Sequence, residues 1–276
     1  MMRTEPDWLL DETAPGPRKP LYLRGGAGLN VALDGPALRI RRPARAAVLY
    51  PLARLARVVS SGAVQWNCEA LLGCAEAGVP VVFLHRDGTV RAYLHGNARS
   101  RDPHDLLYTR LRARLTRPGG MARYGAWRQA MIDTAIRALG RQMQEPLTSY
   151  SEIHLRRSLA QTRQRHVGVV QAALIEQRVR GLLAGLSAQV LEEVGLGAAR
   201  WPKLEFALDL AGDLAELLGW ALEWPLLEAL QTRFGGGPGP DLTDEAQLIG
   251  LFEAHAAELR RLGLEWLNQL RQGLER

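Results

Sequence analysis

LLAGLSAQVLEEVGLGAARWPKLEFALDLAGDLAE, residues 182–216, joins two apolar helical segments through a loop rich in Gly and Ala. The second segment carries Asp209, Asp213 and Glu216. Residues three and four apart share a helix face, so Asp213 lies beside both Asp209 and Glu216. Acids spaced in this way hold a hard cation when a further ligand converges from elsewhere. The same spacing also describes an amphipathic helix with a solvated acidic stripe. Both readings stand until the flanking sequence is added.

Upstream, the period changes from helical to two. Leu21–Arg24, Leu29–Leu33, Ala37–Arg42, Ala47–Tyr50 and Val58–Ser60 are short alternating or apolar runs. Gly25-Gly26, Asp34-Gly35-Pro36 and Pro43 punctuate them, which predicts a small β domain of meander or sandwich type. Strands this short need a second layer or a twin subunit to be stable. Asn67 is placed to cap a helix over Cys68–Ala77, ended by Gly78-Val79-Pro80. Val81–Leu84 follows without a polar break, as in a strand covered on both faces. The turn Asp87-Gly88 then leads to a last strand, Thr89–Leu94.

Beyond Gly96 the pattern is helical. Helices are predicted from Asp102 or Pro103 to Leu115, over Met121–Gln144, over Glu152–Arg163 and from Val167 to Leu183. Another spans 204–234 with a bend at Pro225. After the loop 235–240, Thr243 caps a final helix through Leu274, with His255 on its apolar stripe and so interior. The fold class is therefore α+β. It comprises a loose tail over 1–20, a β sandwich or meander with one helix over 21–96, and an all-helical domain over 97–276.

No run of eighteen apolar residues occurs, so no membrane-spanning helix is expected. Glu5, Asp7, Asp11 and Glu12 give the N-terminus the wrong pattern for a secretion signal. Cys68 and Cys74 lack metal-ligating companions and read as two buried thiols, which with the preceding point predicts a cytoplasmic protein. Walker, GxGxxG, HExxH and GxSxG motifs are all missing from the 276 residues.

Charge is unevenly distributed. Residues 99–180 hold 16 arginines against 6 acids, whereas residues 181–276 hold 7 basic and 15 acidic groups. The arginine-rich middle predicts a polyanion surface, and the acidic end predicts a protein or metal partner. Because the chain has only two lysines, Lys19 and Lys203, arginine-preferring codon usage accounts for part of this excess. Candidate DNA-binding residues are Arg123, Arg128, Arg137, Arg141, Arg156, Arg157, Arg163 and Arg165. Tyr108, Tyr124, Trp127 and Tyr150 interleave with arginines and fit either base packing or helix seams.

The order of these pieces resembles the CRISPR adaptation integrase, the metal-dependent subunit that inserts spacer DNA into a repeat array. The resemblance rests on CEALLGCAEAGVPVVFLHRDGTVRAYL (68–94), GLSAQV (185–190), PKLEFALDL (202–210) and LTDEA (242–246). It implies a homodimer formed by the β domain and a small second adaptation protein clamped between two dimers. It also implies a glutamate, a histidine and an acidic pair around Mg²⁺ or Mn²⁺, supporting 3′-hydroxyl attack on a phosphodiester. Carried onto this chain, Glu152 stands for the glutamate, but Val194 stands where the histidine belongs. Asp209 keeps the first acid and Gly212 replaces the second, with Asp213 one residue late. The metal and catalytic candidates are thus Asp209 and Asp213 with Glu152, and a valine cannot ligate a cation. The primary reading is a dimeric, DNA-binding family member with weak or absent nuclease and integrase chemistry, binding no metal if that chemistry is gone. One alternative is an active endonuclease and integrase that uses Mg²⁺ or Mn²⁺ on Glu152, Asp209 and Asp213, with His154 or His166 as the missing donor under a different register of residues 145–200. The other is an interaction scaffold without a nucleic-acid role.

Overall fold

Alternation in the first hundred residues becomes pairing in the computed structural model, which describes residues 18–96, 111–144, 151–196 and 208–275. Strands β1 (Lys19–Arg24), β5 (Leu55–Ser61), β7 (Val81–Leu84) and β8 (Val90–Leu94) lie in that order in one sheet. The first three are parallel and β8 is antiparallel to β7. The second sheet runs β4 (Val48–Pro51), β3 (Ala37–Arg41), β2 (Asn30–Asp34) and β6 (Gln65–Trp66). Within it β2, β3 and β4 form the expected meander. Leu21, Leu23 and Val58 of the first sheet share one core with Val31, Leu38 and Ile40 of the second, which is the sandwich.

The first sheet is covered twice. Val81 belongs to the core between the sheets, while its neighbour Val82 packs on Ala184 and Ala188 of the helical half. The unbroken apolar run of β7 has this cause, as its sequence implied. Strand β5 is longer than the run Val58–Ser60 because Arg57, a charge in the pattern, turns inward on the helix-facing side and is 2% exposed.

Helix α1 (Cys68–Glu76) is capped by Asn67, whose side-chain oxygen accepts the Glu69 N–H at 2.8 Å. Cys74 is buried and its thiol is pushed up to about 12 by desolvation. Cys68, expected to be buried too, is exposed at the first position of the helix.

Five long helices follow among the described residues: α2 (Gly120–Gln142), α3 (Glu152–Val167), α4 (Val169–Glu193), α5 (Leu210–Phe234) and α6 (Glu245–Glu275). Three boundaries differ from expectation. Helix α3 extends past Arg163 to Val167, and the next residue, Gly168 with a φ of 79°, breaks it from α4. Helix α4 does not stop at Leu183, because its glycines serve close packing rather than termination. A Cβ on Gly181 would meet Leu84 Cδ1 at 2.4 Å, and one on Gly185 would meet Val59 Cγ2 at 2.7 Å. Helix α5 starts at Leu210, capped by Asp209, and runs as one element past Pro225, while 204–207 of the expected helix lie outside the described residues.

Helix α6 is opened by Asp244, which accepts the Ala246 N–H at 2.8 Å, while Thr243 donates its own N–H to Asp241. His255 is half-buried, not interior. The start of the helix before Leu115 lies outside the described residues.

Sheet and helices are also pinned by polar contacts. Arg57 donates to Gln189 Oε1 and Glu253 Oε1, both at 2.6 Å, and to the Tyr22 hydroxyl at 3.1 Å. Tyr22 in turn donates to Glu253.

Candidate functional site

The sequence candidates meet where α5 packs against α2 and α3. Asp213, Glu216, Trp220 and Glu223 recur at three- and four-residue steps on α5, so they form one stripe. Leu217 and Trp220 anchor it in a core shared with Ile132 and Ile136 of α2 and Leu155 and Leu159 of α3. That packing brings the arginines of α2 and α3 onto the acids.

Arg128 Nε donates to Asp213 Oδ1 at 2.7 Å, and its other nitrogen donates to Glu216. Arg156 donates to Glu216 Oε1 at 2.5 Å and, one turn back, to Glu152 Oε1 at 2.9 Å. The plane of Arg156 lies over the Trp220 ring, 4.7 Å from its centroid. Arg163 pairs with Glu223. The Tyr124 hydroxyl donates to Asp213, and burial together with that carboxylate drives its pKa upward. Burial opposes the charge of Arg128, but Asp213 and Glu216 outweigh it and hold the guanidinium protonated.

The first acid of the family pattern, Asp209, lines the same cleft as Glu216 and Glu223 but is turned to its own helix. Asp209 is exposed and accepts the Gly212 N–H at 2.8 Å as the cap of α5. Burial first, and then the Asp209 carboxylate nearby, push the Tyr93 phenol up to about 12. Val194 ends α4 and packs its side chain on the helical core. His154 is exposed on the first turn of α3, and His166 places Nδ1 2.8 Å from the Thr162 carbonyl.

A divalent cation needs several lone pairs directed at one point. Here the lone pairs of Glu152, Asp213 and Glu216 are directed at guanidinium N–H groups, and those of Asp209 at its own helix. Among the described residues no three His, Cys, Asp or Glu side chains stand together as such a group. Among the described residues, the donors around this cleft are not arranged to fit Mg²⁺ or Mn²⁺.

Of the eight candidate DNA-binding arginines, Arg128, Arg156 and Arg163 are engaged in these internal pairs. Arg123, Arg137, Arg141, Arg157 and Arg165 are exposed and form no ion pair among the described residues. Arg123 and Arg141 are separated by five helical turns of α2 and so point the same way, with Arg137 one turn before Arg141. Tyr124 and Trp127 fill the seam between α2 and α5 with their rings 5.6 Å apart, so they are packing residues; Tyr108 and Tyr150 lie outside the described residues. The cleft beside the acidic stripe is about 870 Å³ and is walled on its far side by β8.

Sequence reasoning missed the arginine partners of the acids and a second buried pair. His95 Nδ1 lies 3.0 Å from Glu192 Oε2, and the imidazole is 2% exposed. The opposed charges of residues 99–180 and 181–276 were the available signal. They neutralise each other in part across helix seams, where Arg128, Arg156, Arg163 and Arg178 meet Asp213, Glu216, Glu223 and Glu245.

The family model for CRISPR associated protein Cas1 matches residues 25–181, more than half of the chain. No curated protein matches by sequence. Among solved structures, a CAS1 protein from Thermotoga maritima has a TM-score of 0.64 at 12% identity, covering 93% of this chain and 97% of that one. The TtCas1–DNA complex gives 0.58 at 16% identity, covering 91% of each chain. A Cas6-RT-Cas1–Cas2 complex gives 0.60 at 13% identity, covering 94% of this chain and 35% of the other. At these identities the likeness is one of fold.

Proposed function

The chain belongs to the CRISPR-associated protein Cas1 family, and from that premise we propose that it binds DNA in spacer acquisition without metal-dependent strand cleavage or joining of its own. The single observation carrying this reading is the occupation of Glu152, Asp213 and Glu216 by Arg128 and Arg156. A guanidinium already placed among carboxylates supplies the positive charge that a metal would bring, but it offers no open coordination position for a phosphate oxygen or a water. The exposed arginines of α2 and α3 remain available for phosphates.

One fold relative is a complex with DNA and another is an assembly that includes Cas2. By analogy this chain acts as a homodimer formed through its β domain, and a small second adaptation protein is its partner. No described helix is long and apolar enough to cross a membrane, and the proposed process places the chain in the cytoplasm.

The test is a forked-duplex binding and strand-transfer assay with Mn²⁺ or Mg²⁺. Binding should weaken steeply with salt, because arginines displace condensed counterions. R137E/R141E should lower affinity by about tenfold or more on every sequence, as backbone contacts do. No cleavage or joining should be detected. Metal-dependent strand transfer that disappears in D209A would overturn the loss of chemistry, and salt-independent or absent DNA binding would return the chain to a scaffold role.

A further inference from the structure

A second cleft, about 900 Å³, opens between sheet and helices where the parallel strands β1, β5 and β7 end. The carboxyl ends of parallel strands are the side on which sheets of this kind take ligands. Gly25 follows β1, Gly62 follows β5, and Gly88 lies in the turn after β7, so bare backbone forms much of the floor. Gly88 has a φ of +76°, and a Cβ there would meet the Gln177 carbonyl at 2.1 Å, which holds the turn against α4.

Four guanidiniums, from Arg24, Arg42, Arg86 and Arg178, face this floor, with only Asp244 and Glu245 as acids. Asp244 is engaged in capping α6. Glu245 pairs with Arg24 and stands 4.0 Å from Arg178, which also donates to the Thr243 carbonyl at 2.9 Å. Arg42 and Arg86 are exposed and have no ion pair among the described residues. Leu174, Leu182 and Ile249 supply an apolar wall. The cleft therefore carries uncompensated positive charge beside an apolar surface, with one carboxylate placed as an internal competitor for its arginines.

We propose that this interdomain cleft binds a phosphate ester through Arg24, Arg42, Arg86 and Arg178, displacing Glu245. Guanidiniums recognise phosphate oxygens with paired N–H donors, and the apolar wall suits the attached base or sugar. The same chemistry is offered by a mononucleotide and by the backbone of a nucleic-acid strand. The site is separate from the arginines of α2 and α3, so it stands or falls independently of the DNA-binding reading given above.

The experiment measures fluorescence anisotropy of a labelled ATP analogue and of labelled oligo(dT) on the full chain, with melting curves to confirm folding. The comparison is between wild type, R42E/R86E, E245Q and R137E/R141E. We expect R42E/R86E to weaken at least one probe by about tenfold and E245Q, which removes the competing carboxylate, to tighten the same probe several-fold. Loss of the nucleotide probe identifies a mononucleotide site, and loss of oligo(dT) alone identifies a strand site. Unchanged binding of both probes by R42E/R86E overturns the cleft, even where R137E/R141E still weakens oligo(dT). Weakening without any gain in E245Q overturns the role given to Glu245.

Discussion

Two guanidinium clusters use the same chemistry to different effect. Around Arg57, one guanidinium 3% exposed meets one carboxylate, Glu253, between the sheet and α6. Around Arg128 and Arg156, two guanidiniums that are 31% and 50% exposed meet three carboxylates at the seam of α2, α3 and α5. In the first the guanidinium is shut off from water and acts as a pin between layers. The second keeps contact with solvent, and in the function proposed above its arginines withdraw the carboxylates from cation binding. Burial and the ratio of opposite charges decide between these roles, and neither can be read from residue type.

Replacing the buried guanidinium should have the largest effect. R57M removes the guanidinium donor from Gln189, the Tyr22 hydroxyl and Glu253, which keeps only the Tyr22 O–H, and a loss of about 3 kcal/mol in urea unfolding is expected, as for breaking a buried pair. A loss within error would break the contrast by making both clusters equally dispensable. R128Q/R156Q should cost less, about 1–2 kcal/mol, because solvent screens half-exposed pairs. Melting of the wild type should be indifferent to Mn²⁺ and to EDTA, as a site already filled by its own cations requires.

The smallest effect separates the clusters by their tyrosines. Tyr22 belongs to the first and Tyr124 to the second, and the pKa of each is raised, with burial the leading cause. A phenol with a raised folded pKa gives stability that is complete below its unfolded value, about 10, and is lost as pH rises towards the folded value. Melting temperature should therefore fall above about pH 10. Y22F and Y124F should each flatten that fall, and a profile unchanged in both would remove the linkage.

Much of the β domain was legible from local pattern alone. Asn67 before Cys68, the Asp87-Gly88 turn and the unbroken Val81–Leu84 run each carry their own signal, because capping, turn geometry and two-sided burial act over a few residues. The helical half was less transparent. Gly181 and Gly185 look like breakers until Leu84 and Val59 of the sheet are seen beneath them. Asp209 looks like an interior helix acid until its carboxylate is found capping the first turn.

Strand order in the meander, the presence of the helices, the opposed charge blocks and the valine at position 194 follow from composition and spacing, since they concern neighbours along the chain. The pairing of Arg128 and Arg156 with Glu152, Asp213 and Glu216 joins residues up to 88 positions apart. The gathering of four arginines at the strand ends, from Arg24 to Arg178, spans a longer separation still. Those are consequences of which helix and sheet faces pack together, and long-range burial, not local propensity, selects them.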